Sequence, residues 1–214
     1  MPKVSRESDV LARLLSFTRT KDPDAEAARL LARFGSLSSL LSSDAAELTD
    51  AGLSKNAALL LSLAAEIPAR AAEDEIKESA VFDKSAKLSD FFIRRFLGAS
   101  VERVSLLLLD EKFRPLELKR IAEGAVNSAA VELRCVTEAA VLSNAAYAVL
   151  AHNHPRGTPT PSRDDELTTS LVSDALASAG VKLIEHYVVA GNTAVPIIKT
   201  LAGRPAVMPD SFYE

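Results

Sequence analysis

The sequence has little of three features that mark other classes of protein. It contains one cysteine, which excludes an internal disulfide and fits a reducing compartment. It has no run of about 18 apolar residues, which a membrane-spanning helix requires. Its first residues, MPKVSRESDVLARLL, lack the unbroken apolar region of a secretory signal. Together these absences predict a cytoplasmic protein with no part in the membrane.

An excess of positive charge is also missing. The chain has 25 Lys+Arg against 29 Asp+Glu, a net charge of −4 and a pI near 5.5. Nonspecific binding to nucleic acid depends on clustered Lys and Arg that neutralise phosphates, so the composition argues against a strong DNA binder. The 214 residues are 48% hydrophobic and 25% charged, which predicts a globular protein with one moderate and one small domain.

Two of the three histidines lie in one short stretch, AHNHPRGTPTPSRDDELTTS, which covers residues 151–170. The apolar run before it predicts a buried strand, on which alternate side chains project from the same face roughly 6.6 Å apart. His152 and His154 therefore project together, whereas Asn153 points away. A helix that begins at Ser162 places Asp165 in its first turn. Two imidazoles and one carboxylate suit Zn²⁺, whose fourth position in a catalytic site is left to water.

The same residues have a structural interpretation. Ser162 followed three residues later by Asp165 also fits a capping box, and acidic residues favour the first helical turn. For Asp165 alone, capping and metal ligation remain open alternatives. The histidine pair favours a metal site over two hydrogen-bonded imidazoles. Other zinc signatures fit less well, because the chain has neither HExxH nor the PCxxC of a deaminase.

These residues resemble a known family. HxHP followed by Ser162 and Asp165, with a glutamate upstream, is similar to the JAB/MPN (JAMM) metalloenzyme motif. The closer resemblance is to the bacterial RadC proteins, whose segment usually reads HNHPSG and then PTPSRED. Here Arg156 stands in place of the usual serine and Thr158 in place of a frequent aspartate. The resemblance covers roughly residues 30–191.

The resemblance implies a fold and a set of roles. The fold is α/β, a mixed sheet flanked by helices with JAB/MPN-like and cytidine-deaminase-like layering, after a small all-helical domain. The implied activity is that of a zinc metallopeptidase or isopeptidase. His152, His154 and Asp165 would hold Zn²⁺, Glu102 would act as general base toward the water at the metal, and the Ser162 hydroxyl would donate to the oxyanion. The alternatives are a DNA-associated protein, as the family's repair label suggests, and a non-catalytic MPN scaffold.

The first third of the chain predicts a helical domain over residues 1–75, followed by a linker over 76–88. Apolar stripes predict one helix around Val10 to Phe17, a second that ends before Gly35, and a longer one over 57–72 in which Pro68 marks a kink or an end. In RadC relatives this region is similar to a helix-hairpin-helix module that offers backbone amides to a DNA phosphate.

This copy of the hairpin is degenerate. The family's GIG aligns with Gly52, Leu53 and Ser54, and its lysine aligns with Ala57. Losing the second glycine removes the positive-φ geometry that turns the amides outward. Residues 1–75 hold 9 Lys+Arg against 12 Asp+Glu, a balance of 9 − 12 = −3. We therefore interpret the region as a packing or partner-docking module.

The second domain is predicted over residues 89–214. Ser89 is a candidate N-cap for a short helix, and strands are expected over 101–110, 115–123, 147–151 and 181–190. Helices are expected over 136–143 and after Ser162. The tail from residue 200 is expected to be irregular or docked on the surface.

Three residues of this domain also have structural interpretations. A glutamate at a strand end, such as Glu102, is usually solvated, and only the resemblance makes it a base. Cys135 is interpreted as a small buried hydrophobe rather than a reactive thiol. His186 is interpreted as a hydrogen-bonded structural histidine or a support for a ligand, rather than a ligand itself.

Overall fold

The structure is a computed structural model that describes residues 6–77, 80–124, 129–155, 157–200, 208 and 210–213. The chain divides into two compact units, residues 1–69 with 97–100, and residues 70–96 with 101–214. The first division falls inside the fifth helix, between Ala69 and Arg70. Among the described residues, none of the helices combines the length and the apolar character needed to cross a membrane.

The first unit is built from helices whose ends carry strong capping signals. These are α1 (Arg6–Ser16), α2 (Pro23–Phe34), α3 (Leu37–Leu41), α4 (Ala45–Asp50) and the first part of α5 (Lys55–Lys77). Asp22 caps α2 by accepting the Ala25 amide at 3.0 Å, and Gly35 ends it at a φ of 80°. The core of this unit consists of leucines that are at most 1% exposed, namely Leu11, Leu15, Leu30, Leu40, Leu48 and Leu61.

The structure differs from two expectations for this unit, and it places helical residues at both ends of the predicted linker. Val10 and Phe17 are 40% and 85% exposed, because α1 ends at Ser16 and turns Leu11 and Leu15 into the core instead. Pro68 does not end a helix but lies inside α5, which continues to Lys77. The predicted linker over 76–88 therefore overlaps the end of α5 and the start of the next helix.

In the hairpin between α4 and α5, the first of the two positions at which RadC relatives have glycine keeps a positive φ, and the second does not. Gly52 has a φ of +94°, whereas Leu53 and Ser54 are not among the residues with positive φ. The Leu53 side chain and Ala57 are buried in the helical core, at 6% and 1% exposure. The Arg29 guanidinium donates to the Ala51 carbonyl at 2.6 Å, so a side chain already binds this turn.

The second unit contains the mixed sheet that the sequence predicts. Its strands are β1 (Arg103–Leu109), β2 (Pro115–Glu123), β3 (Tyr147–Asn153), β4 (Lys182–Ala190) and β5 (Thr193–Pro196), in the order β2-β1-β3-β4-β5. β3 and β4 are parallel, and the other pairs are antiparallel. The parallel pair is joined by a helix, as a crossover connection requires.

Helices cover both faces of this sheet. Helix α6 (Ser85–Phe96) packs Phe91 and Phe92 onto the face that presents Leu107 and Tyr187. Helices α7 (Ala129–Leu142) and α8 (Arg163–Ser178) cover the opposite face, which presents Leu106, Leu108 and Leu150. Strands β1, β3 and β4 are consequently buried almost throughout, which explains why their sequences are continuous apolar runs.

Several boundaries differ from the sequence prediction. Helix α6 begins at Ser85, before the expected cap Ser89, and α7 begins at Ala129 rather than near residue 136. Strand β5 and the short helices α9 (Ile197–Thr200) and α10 (Asp210–Tyr213) were not predicted. Phe212 of the tail is 3% exposed and belongs to the core beneath α6, so this part is not a surface segment. Residues 201–207 and 209 lie outside the described residues.

Candidate metal centre

The pairing of β1 with β3 brings Glu102 to the two histidines. Val104 pairs with His152 in the antiparallel ladder, so the residues just before β1 run beside the residues just after His152. His154 follows the end of β3, where its amide donates to the Val189 carbonyl at 2.7 Å. One side-chain ligand atom each of Glu102, His152 and His154 lies within 4.8 Å of the other two.

Asp165 reaches the same place from the first turn of α8. Its Oδ1 lies 3.1 Å from His152 Nε2, and its Oδ2 lies 3.9 Å from His154 Nε2. Oδ2 also accepts the Ser162 amide and the Ser162 hydroxyl, each at 2.7 Å, while the Asp165 amide donates to the Ser162 hydroxyl at 3.1 Å. The capping box and the contact with His152 therefore coexist, because Oδ2 accepts from Ser162 while Oδ1 faces His152.

The surroundings of Asp165 keep its carboxyl ionised. Burial raises the pKa of Asp165, but the neighbouring His152 imidazole and the hydroxyl and amide of Ser162 lower it by more, so the pKa is held well below its usual range. An ionised carboxylate that is only 16% exposed requires positive charge or hydrogen bonds around it. The carboxylate is thus prepared to bind a cation without first losing a proton.

A chain of hydrogen bonds determines which ring nitrogen of His152 donates to His186 and which faces the other site residues. The Thr169 hydroxyl donates its single proton to the Asp165 carbonyl at 2.6 Å, so it accepts from His186 Nδ1, which lies 2.6 Å away. His186 Nε2 is then an acceptor, and it takes the proton of His152 Nδ1 at 2.8 Å. Burial foremost lowers the pKa of His186 well below its usual value, which keeps this ring neutral. His152 Nδ1 is therefore the donor to His186, and Nε2 is the ring nitrogen that faces Asp165 and His154.

His154 presents the same nitrogen for a simpler reason. Its Nδ1 lies 2.8 Å from the Thr158 carbonyl, which can only accept, so Nδ1 is the donor and Nε2 faces His152. Gly157 allows this arrangement, because a Cβ there would lie 3.2 Å from the His154 Cβ. Arg156 lies outside the described residues.

Three potential ligand atoms thus converge, one from each of two imidazoles and one from a carboxylate. The two Nε2 atoms of His152 and His154 lie 3.1 Å apart, and the Asp165 carboxylate lies 3.1 and 3.9 Å from them. In a tetrahedral zinc site with bonds of about 2.0–2.1 Å, neighbouring ligand atoms are about 3.3 Å apart. The donor types and their spacing therefore fit a zinc-like divalent cation.

The predicted site residues are brought together with one qualification about Ser162. Glu102 and Asp165 each lie close to the two histidines, and of these four residues all but His154 line one cavity of about 450 Å³ between the sheet and helices α7 and α8. Ser162 lies at the exposed N-terminus of α8, and its hydroxyl proton is engaged by Asp165. Cys135 lies on α7 and is partly buried.

Two residues of the site were missed or underestimated. Thr169 had no assigned role, although it lies one helical turn after Asp165 and hence on the same side of α8. Asn153 was expected only to point away from the histidine pair. It does so, but its amide binds the chain on both sides of Glu102, donating to the Val101 carbonyl at 3.1 Å and accepting the Arg103 amide at 2.8 Å.

Comparison with known proteins identifies related chains over most of the length. Residues 82–200 match the family model described as a RadC-like JAB domain. A UPF0758 protein of Methylibium petroleiphilum is 37% identical over 167 residues, which is 78% of this chain and 75% of the relative. A UPF0758 protein of a Polaromonas species is 34% identical over 201 residues, 91% of this chain and 88% of the relative. The region that matches the family model contains all five residues of the predicted motif, Glu102, His152, His154, Ser162 and Asp165.

Proposed function

Because the chain belongs to the RadC family and carries its JAB-like domain, we propose that it is a zinc-dependent hydrolase that cleaves an amide or isopeptide bond. The observation that carries this proposal is the convergence of two imidazole Nε2 atoms, each ring oriented by a hydrogen bond at Nδ1, and one ionised carboxylate at separations of 3.1 to 3.9 Å. Hydrolases with three protein ligands and an open fourth position use this donor set.

We assign His152, His154 and Asp165 as the ligands of Zn²⁺. The two imidazoles have their tautomers set by hydrogen bonds at Nδ1, and Asp165 is held in place by the first turn of α8. Such outer hydrogen bonds orient ligands and raise their basicity. A zinc ion held by these residues would supply Lewis-acid activation of a water molecule.

Glu102 is assigned as the general base and then the general acid. Its carboxylate lies within 4.8 Å of both imidazole nitrogens and is exposed to the solvent, so a water molecule beside the ligands can reach it. A base in this position takes the proton of the attacking water and delivers it to the leaving amine. Asp165 is less suited to that role because the Ser162 hydroxyl and amide already bind its Oδ2.

Ser162 is assigned to the oxyanion on the resemblance to the JAMM motif. Its hydroxyl can stay near the ligand set while it turns from Asp165 toward a substrate oxygen, since the Ser162 amide continues to bind the same carboxylate. A hydroxyl aimed at a developing negative charge lowers the barrier by electrostatic stabilisation.

The proposal predicts that substituting a ligand removes the metal, whereas substituting the base slows turnover and leaves the metal in place. The purified protein is expected to hold zinc, and His154→Ala and Asp165→Asn are expected to lose it. Glu102→Gln is expected to keep the metal while hydrolysis slows about 10²- to 10⁴-fold. Metal is measured by mass spectrometry, and hydrolysis with a pool of quenched fluorescent peptides and a lysine-linked isopeptide.

Asp164→Asn is the matched control, because Asp164 is the neighbouring carboxylate in the first turn of α8 and lines the same cavity. It is expected to keep both metal and activity. A wild-type protein without zinc affinity would refute the metal centre. Loss of zinc from Glu102→Gln would make Glu102 a ligand and refute its role as base.

A further inference from the structure

The residue between the two histidines ties β3 to the start of β1. Asn153 is 4% exposed and is the last residue of β3. Its side-chain oxygen accepts the Arg103 amide at 2.8 Å, and its side-chain nitrogen donates to the Val101 carbonyl at 3.1 Å. These are the two peptide groups that flank Glu102. One side chain therefore binds the backbone immediately before and immediately after that glutamate.

The Asn153 amide takes the place of a further peptide group in the ladder. The last backbone pair between β1 and β3 is Val104 with His152, and beyond it the strands no longer pair directly. A primary amide has a donor and an acceptor on one planar group, like a peptide, so it can continue the pairing by one step. On the other side, the Gly124 amide donates to the Glu102 carbonyl at 2.8 Å. The backbone at Glu102 is thus bound from β2 and from β3.

We propose that Asn153 is a positioning residue that fixes the Glu102 carboxylate relative to the two histidines, an inference that rests on the proposed function. Asn153 lies between His152 and His154 in the chain, so any movement of the ligand strand is transmitted through this amide to the residues around Glu102. The position of Glu102 relative to the two histidines is therefore set by the Asn153 side chain and not by strand pairing alone.

The chemistry at position 153 requires an amide. An aspartate can accept from the Arg103 amide, but its second oxygen would face the Val101 carbonyl, an acceptor against an acceptor. An alanine leaves a partly buried N–H and a partly buried C=O without this partner, which costs free energy and loosens the segment. Asparagine satisfies both groups at once.

The test uses Co²⁺ as a spectroscopic metal and acetohydroxamate as the probe. Acetohydroxamate binds a metal through its two oxygens and can donate to an adjacent carboxylate, so its affinity reports where the Glu102 carboxylate lies. Glu102→Gln and Asn153→Ala are each expected to weaken acetohydroxamate about 10- to 100-fold, the range for a hydrogen bond to a charged group. The double variant is expected to be no weaker than either single variant, because both changes remove the same contact. Co²⁺ affinity is expected to change by less than the hydroxamate affinity.

Asp110→Ala is the matched control. The Asp110 carboxylate also binds two backbone amides, those of Lys112 and Arg114 at 2.8 and 2.9 Å, but at the opposite end of β1. It is expected to leave hydroxamate affinity unchanged. Wild-type affinity in Asn153→Ala, or additive losses in the double variant, would overturn the positioning role.

Amide hydrogen exchange separates this inference from the proposed function. The Arg103 amide is expected to be protected in the wild type and to exchange at least tenfold faster in Asn153→Ala, with no such change in Asp110→Ala. A wild type that takes up no Co²⁺ would refute the proposed function, and exchange would then decide the inference alone. Equal exchange of Arg103 in wild type and Asn153→Ala would overturn it.

Discussion

At the scale of single residues, the three histidines form one connected system. His154 is oriented by a local carbonyl, whereas His152 is oriented by His186, whose partner is Thr169 on α8. The sequence predicted that His152 and His154 lie together, because alternation on a strand is a local pattern. It could not predict the link to His186, since 34 residues separate the two histidines and only the parallel pairing of β3 with β4 brings them together.

Thr169→Val is expected to weaken zinc binding by about tenfold, the lower end of the range for losing an outer hydrogen bond to a ligand. Valine keeps the shape of threonine, but His186 loses the acceptor for its Nδ1, and His152 is then held less firmly with Nε2 toward Asp165 and His154. The affinity is measured by competition with a chromogenic chelator.

Thr137→Val serves as its control, because the Thr137 hydroxyl also donates to a carbonyl one turn earlier in its helix, that of Leu133 at 2.8 Å. Thr137 has no histidine partner among the described contacts, so its substitution is expected to leave zinc affinity unchanged. Equal affinities of both variants and the wild type would contradict the proposed tautomer chain.

At the scale of elements, the N-terminus of α8 has a geometry compatible with both interpretations of Asp165 from the sequence, helix capping and metal ligation. The Ser162–Asp165 capping box forms, and the second oxygen of Asp165 faces His152. A helix start is a rigid place for a ligand, because the backbone amides that need a partner also fix the side chain that serves them. The choice between capping and ligation could not be made from spacing, since both need the same residue in the same turn.

Ser162→Ala is expected to lower the free energy of unfolding by about 1 kcal/mol, as loss of an N-cap does. It is also expected to weaken zinc binding, because the Ser162 hydroxyl is one of the groups that hold Oδ2 of Asp165 at 2.7 Å. Unfolding is followed by circular dichroism in denaturant on metal-free protein, and zinc binding by calorimetry.

The matched change is Asp44→Ala, which removes the other capping box of the chain's described residues, at the start of α4. It is expected to cost a similar free energy without altering zinc affinity. If the two variants bound zinc equally well, the Ser162 hydroxyl would contribute nothing to zinc binding, and its role would be limited to the helix cap and the proposed oxyanion contact.

The elements themselves were predicted unevenly. Strands β1, β3 and β4 were predicted from apolar runs, and β2, predicted from its hairpin connection to β1, was placed at its observed limits. Strand β5 and helix α9 are four residues each, too short for a periodic pattern. Helix α9 depends on a distant residue, Glu185, whose fully buried carboxylate accepts the Ile198 amide at 2.7 Å and the Lys199 amide at 3.3 Å. Such long-range capping leaves no local signal.

At the scale of the whole molecule, the charge balance and the helical unit bear on the family's repair label. The net charge is −4, and the helical unit, residues 1–69 with 97–100, holds 8 Lys+Arg against 9 Asp+Glu, a balance of 8 − 9 = −1. Ala57, which lies in α5 just after the hairpin and aligns with the lysine usual in RadC relatives, is buried in the core. The unit thus has no excess of positive charge for holding a phosphate backbone, and we propose that it serves packing or partner docking.

We accordingly expect the full chain to bind duplex and branched DNA no more tightly than about 10⁻⁴ M at physiological salt, the weak end of nonspecific binding. Counterion release needs several phosphate contacts by Lys or Arg, and the hairpin offers Gly52 as its single positive-φ residue, with Arg29 engaged by the Ala51 carbonyl. Fluorescence anisotropy over a salt series measures this. Changing exposed Asp50 and Asn56 to lysine should create binding with a steep salt slope, which shows that the assay responds to charge at the hairpin. Tight, structure-specific binding by the unaltered chain would instead favour a DNA-associated role and reverse our assignment of the helical unit.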